Sequence, residues 1–317
     1  MTKPATITAS ETAGVPYGSA KLWQIVRVAC NDSTGMAVFS LIGSASYAAN
    51  IGFGIATRAV GGILTFTRIF DAITDPLLAF LYDRFNTRWG KVRPLMLLGW
   101  AIQSVGLLSM FSWFGGKGLG MLAFIGLYMV YVIGYTIVNM TVQTLGPLLT
   151  NDPKQRPMVG VWSTVLNYAV PMVLSILLSM VLLPRFGGEY NLAFLSVAGY
   201  VCVGLSLFGV LMVCLGITPY DKPANVENLS KTADERLKLR DMWDILKNNR
   251  PLGAYIISAS SDKIAQQTAA TSIVNTLLLG ILIGNMGLGT MLSVIGMLPS
   301  ILFAIFGARY AGKHGNK

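Results

Sequence analysis

Arg68, Asp71 and Asp75 stand in the otherwise largely apolar run GGILTFTRIFDAITDPLLAF, residues 61–80. At about 100° per residue a helix would bring all three within an arc of about 60°, on a stripe that continues through Gly61 and Leu64. A charged side chain at the centre of a bilayer costs roughly 2.5–3.5 kcal/mol, so three left unpaired approach ~10 kcal/mol, comparable to the whole stability of a typical domain. They must therefore face a bundle interior or an aqueous cavity and bind one another, another helix or an ion. Arg68 and Asp71 can pair at a three-residue spacing and fix helix packing. Asp75, two turns from Arg68, stays uncompensated, and one positive charge against two negative ones leaves room for a monovalent cation. Pro76 has no N–H for the Ala72 carbonyl, so that oxygen is released between the aspartates to coordinate an ion or hold a water. Carboxylates, the Thr74 hydroxyl and a carbonyl are hard donors suited to Na⁺, with H⁺ as the alternative way of neutralising a buried acid.

Other polar residues in apolar runs raise the same question. Asp32 lies about one-third into the first run, too deep to snorkel easily, and reads as a hydroxyl-binding group or as the partner of Arg27 or Arg68. Ser258, Asp262 and Gln266 recur every four residues, a stripe that lines a cavity or makes an interhelical polar contact, with Lys263 100° away. Asp83, Arg84, Arg88, Lys91 and Arg93 follow the second run. They can form ion pairs that exist in one conformational state only, or simply anchor topology.

The elements that must carry these groups are transmembrane helices. The 317 residues are 53% hydrophobic and 12% charged, with mean hydropathy +0.59, against roughly one-quarter charged in an ordinary soluble domain. Runs long enough for a ~30 Å hydrocarbon core lie near 23–50, 58–82, 94–114, 119–149, 157–183, 190–218, 251–283 and 286–308. The net charge of +10 reports topology, and no nucleic-acid partner is expected: basic residues cluster after even-numbered runs, whereas loops after odd ones carry chiefly Arg58, Lys117 and Arg185. By the positive-inside rule the N-terminus and the 219–250 loop are cytoplasmic. Residues 1–20 read as a disordered tail, and part of 221–250 as a short amphipathic helix. Cys30, Cys202 and Cys214 have no metal-ligand spacing and are expected as free thiols. His314 is the only histidine, so neither a His-based catalytic site nor a metal cluster is expected.

Through RIFDAITDP, the following DRFNTRWGKVRP and YTIVN at 135–139, the sequence resembles the glycoside-pentoside-hexuronide:cation symporters, the melibiose-permease-like branch of the major facilitator superfamily. The resemblance implies an all-α membrane protein that works by alternating access and couples a sugar or glycoside to Na⁺, H⁺ or Li⁺. It places the cation on Asp71, Thr74 (where the family often has Asn), Asp75 and Thr136. It places the sugar on Asp32, Tyr135, Asn139, Gln143, Trp162 and Thr164, and Arg68 and Asp262 are grouped with these. Asn139, Gln143 and Thr164 depart from the acidic, aromatic and arginine residues of melibiose-type members, so cation coupling is better supported than galactoside specificity. The expected organisation is a tail (1–20), an N-terminal six-helix bundle (21–218), a cytoplasmic linker (219–250) and the first two helices of a C-terminal bundle (251–317), with the remainder truncated. A monomer in the plasma (inner) membrane is expected, with no cofactor beyond the coupling ion. The rival readings are a prenyltransferase-type enzyme holding Mg²⁺-diphosphate on the Asp71-x-x-x-Asp75 pair, and an uncoupled facilitator.

Overall fold

The computed structural model of the chain describes residues 20–85, 87, 89–150, 156–222 and 249–270, with single helical positions between 291 and 310. Helix α1 (Leu22–Ile42) starts where the Gln24 side chain accepts the Lys21 N–H at 2.9 Å, satisfying a donor that the helix itself leaves open. It continues through Ala45–Tyr47 into a widened turn, Ala48–Gly52. Next come α2 (Thr57–Arg84), α3 (Val92–Leu108, widening at Ser109–Trp113) and α4 (Gly120–Leu149). Then follow α5 (Arg156–Ser175, widening at Ile176–Leu182) and α6 (Leu192–Ile217), the latter capped by Asn191, which accepts the Phe194 N–H at 2.8 Å. Helix α7 is Arg250–Ala270. Among the described residues there is no strand, only an isolated bridge between Thr87 and Gly90.

Helix α1 packs along α6 and α5, α3 along α4 and α6, and α2 on α4. In lipid the drive for such packing comes from close backbone approach at small residues. At the α1–α6 crossing, a Cβ on Gly209 would lie 2.9 Å from the Cys30 carbonyl and would overlap the Thr34 hydroxyl. Two apolar clusters result. One gathers the widened ends of α1 and α3 with Phe124, Tyr128 and Phe194, and the other gathers Ile25, Val92, Met96, Leu148 and Ile217 at the opposite end. Trp100 packs against both. Asp32 and Thr136 fall between these clusters along their helices. Large side chains such as Phe208, Leu211 and Leu215 on α6 point outward, as a helix facing lipid requires.

Five described segments are long and apolar enough to cross a membrane: Leu22–Gly52, Val92–Trp113, Gly120–Leu149, Met158–Arg185 and Leu192–Ile217. They coincide with five of the runs expected from sequence. Helix α2, 28 residues long, falls short of that standard because Arg58, Arg68, Asp71, Asp75, Asp83 and Arg84 interrupt it. Most of residues 1–20, the amphipathic stretch within 221–250, His314 and most of the 286–308 run lie outside the described residues. The domain boundaries remain expectations.

Candidate functional site

Asp71 stands midway along α2, and its Oδ1 accepts a hydrogen bond from Thr136 Oγ1 on α4 at 3.2 Å. Thr136 is only 3% exposed, so the acid meets a buried hydroxyl supplied by the helix packed against it. One turn further on, Asp75 is exposed. Thr74 donates its hydroxyl proton to the Phe70 and Asp71 carbonyls, both at 3.1 Å, which leaves the lone pairs of its oxygen as acceptors. The described donor set is thus two carboxylates and two hydroxyls contributed by two helices, all hard oxygen ligands. The Arg68 and Pro76 side chains lie outside the described set, so the expected Arg68–Asp71 pair and the released Ala72 carbonyl stay expectations.

Asp32 on α1 is held by side chains of α5. Its Oδ2 accepts from Ser163 Oγ on α5 at 2.5 Å, and Asn167, one turn along α5, adds a further side-chain hydrogen bond. Arg27, one of its two expected ion-pair partners, lies over the Trp23 ring, 4.6 Å from its centroid, and the side chain of the other, Arg68, lies outside the described set. Ser163 and Asn167 were missed. The available signal was their four-residue spacing, which puts two polar groups on one face of an apolar helix. Thr164, which the resemblance singled out, donates to the Gly160 carbonyl of its own helix at 2.8 Å.

The other expected sugar-site residues are spread over α4 and α5. Tyr135 is half-buried against Tyr131, their ring centroids 5.8 Å apart, and Trp162 packs partly into the second apolar cluster. Asn139 and Gln143 are exposed and one turn apart on α4. Pro147 removes the N–H that would ordinarily bond the Gln143 carbonyl. On α7, Ser258, Ser261 and Asp262 share an exposed face with Ala254 and Ala265; the Lys263 and Gln266 side chains lie outside the described set.

Of the charged residues after α2, Arg88 and the side chains of Asp83 and Arg84 lie outside the described residues, whereas Lys91 and Arg93 are placed. Arg93 Nε meets Asp221 Oδ2 at 3.2 Å, and Lys91 Nζ lies 4.2 Å from the Tyr82 ring centroid. Asp221, grouped by sequence with the charged linker, is 1% exposed. Mixed charge around it in the sequence hid this residue.

A model of the family described as MFS/sugar transport protein matches residues 36–317. The chain belongs to that family. It is accordingly an all-α, multi-pass membrane protein of a transport family and not of an enzyme family, and this membership sets aside the prenyltransferase-type reading of Asp71 and Asp75. The chain is 33% identical to the inner membrane symporter YicJ of Escherichia coli strain K12 over 192 residues, 60% of this chain and 40% of that protein. It is 30% identical to the putative glycoside/cation symporter YagG of the same organism over 203 residues, 61% of this chain and 42% of that protein. It is 24% identical to a lactose permease of Lactobacillus helveticus over 179 residues, 51% of this chain and 27% of that protein. These names agree with the resemblance to the glycoside-pentoside-hexuronide:cation symporters, and the chain spans less than half the length of these three relatives.

Proposed function

We propose that this MFS family chain acts in cation-coupled symport of a sugar or glycoside by alternating access, with Na⁺ favoured and H⁺ the alternative. The observation that carries the reading is the Thr136–Asp71 hydrogen bond, which joins α4 to an acid midway along α2. Cation binding there neutralises Asp71 and Asp75 and draws α2 and α4 together. Because α4 also carries Tyr135, Asn139 and Gln143, this orders the face that would meet the solute. Linkage then requires solute to tighten cation binding by the same factor. Asp32, held by Ser163 and Asn167, presents its remaining acceptor capacity to sugar hydroxyls. The distribution of basic residues supports an orientation with the N-terminus in the cytoplasm, and a cell (inner) membrane location follows from the same reading.

Counterflow of radiolabelled sugars and glycosides in proteoliposomes, with and without Na⁺ and across pH, tests the reading. Sugar exchange that depends on Na⁺ or H⁺ and loses that dependence in Asp71→Asn and Asp75→Asn is the expected result. Exchange indifferent to both ions would make the protein an uncoupled facilitator.

A further inference from the structure

We infer that Asp221 is a positioning residue: it anchors the basic turn between α2 and α3 to the end of α6, so that the turn moves with the helix bundle as one piece during transport. The inference rests on the transporter reading above. Asp221 Oδ1 accepts the backbone N–H groups of Lys91 at 3.0 Å and Val92 at 3.3 Å. Its Oδ2 accepts those of Arg93, from the backbone at 3.0 Å and from Nε at 3.2 Å. The same guanidinium donates to the Asp221 carbonyl at 3.2 Å and to the Trp89 carbonyl at 2.5 Å. A buried carboxylate is tolerated when charge and lone pairs are both satisfied, and here the first-turn N–H groups of α3 and one guanidinium do so.

The origin of that carboxylate separates an anchor from an ordinary cap. Helix starts are usually capped by a side chain immediately before them. In α3 that place holds Lys91, which makes no such bond, and the acceptor comes from 130 residues further along the chain. The start of α3 is therefore satisfied only when α6 is docked. Gly90 is shaped to this arrangement: its φ of +98° belongs to the left-handed region, and a Cβ there would overlap the Asp221 carboxyl group.

Neighbouring contacts extend the brace. Tyr220 Oη donates to Gln24 Oε1 at 3.0 Å, the same oxygen that receives the Lys21 N–H, so consecutive residues after α6 hold the starts of α1 and α3. Lys91 lies over the ring of Tyr82, whose hydroxyl is 2.9 Å from Thr144 Oγ1 on α4, next to Gln143. With the brace intact, Lys91 and Arg93 change their surroundings only when the whole bundle tilts. Without it, they can follow charged partners independently, and the coupling between bundle tilt and gate is lost.

The test uses the full chain reconstituted in lipid, with amide hydrogen exchange read at Lys91–Arg93 and sugar exchange read for maximal rate and KM. Asp221→Asn is expected to raise exchange at those amides about tenfold or more. It should lower the sugar exchange rate about tenfold while leaving KM and cation dependence unaltered. Gly90→Ala, which keeps every charge, should do the same, and Asp221→Glu should recover part of the rate. The inference is overturned if both variants keep wild-type amide protection, if protection falls with the rate unchanged, or if KM changes together with the rate. If Asp221→Asn unfolds the bundle, seen as exchange midway along α2 as well, Gly90→Ala decides by the same readouts. Should the unaltered chain exchange no sugar, the transporter reading fails separately, and unchanged amide protection in Gly90→Ala would still overturn the anchor.

Discussion

Thr136 presents its hydroxyl to Asp71 from a buried position, and that single bond allows a direct test of the cation site. Replacing it with valine keeps the shape and removes the donor. Hydrogen bonds to charged groups contribute about 1.5–3 kcal/mol, so Thr136→Val should weaken cation affinity roughly 10–100-fold, measured by Na⁺ titration of sugar exchange or by direct cation binding. Ser163→Ala should instead raise the sugar KM several-fold and leave the half-saturating Na⁺ concentration alone, because its hydroxyl serves Asp32. A shift of cation dependence in that variant would contradict the division of labour between the two acids. Asp71 and Asp75 were legible from the sequence because a charge in an apolar run is too costly to be accidental. Thr136 and Ser163 were not legible in the same way, since a hydroxyl in an apolar helix costs little and leaves no comparable mark. Thr136 was reached only through the family resemblance. Ser163 was passed over for its neighbours Trp162 and Thr164, and one residue on a helix is a rotation of 100°.

At the scale of elements, the close α1–α6 crossing sets how Asp32 is held, because α1 is fixed between α5 and α6. Gly209 permits that approach. Gly209→Val should destabilise the bundle by about 1–3 kcal/mol through overpacking, with Gly209→Ala milder, seen as a lower thermal midpoint in detergent. An unchanged midpoint would mean that the crossing relaxes without loss. Hydropathy placed these helices well, and the structure moves the ends of the first, third and fourth runs by only a residue or two. The widened turns that end α1, α3 and α5 had no counterpart in the sequence reading, since hydropathy registers apolar length and is blind to an extra residue in one turn. Asp221 was hidden for a related reason: in a stretch of alternating charge, burial of one carboxylate depends on which helix start it reaches across space.

Across the whole molecule, the polar groups form separate layers. Asp71 with Thr136 and Asp32 with Ser163 lie between two apolar clusters, and the Asp221 brace lies at the end of the bundle where α6 finishes and α3 starts. Such separation lets ion and solute chemistry be altered without disturbing the turn that would gate it. The double variant Thr136→Val with Asp221→Asn should therefore show additive losses, one in cation affinity and one in rate, because neither shares a partner with the other. A strong departure from additivity in the sugar exchange rate would place the two in one network.

The interrupted apolar character of α2 also bears on how the chain is made. A segment with Arg68, Asp71 and Asp75 at its middle is a poor solo candidate for lateral release into lipid, and the helix bearing Thr136 is synthesised only after α3. Helix α2 should thus linger at the insertion machinery until α4 emerges to shelter its acids. Released chains ending near residue 120 are predicted to leave a cysteine introduced midway along α2 open to a water-soluble thiol reagent, and those extended beyond residue 150 to shield it. Equal labelling at both lengths would show that α2 settles in the bilayer unaided.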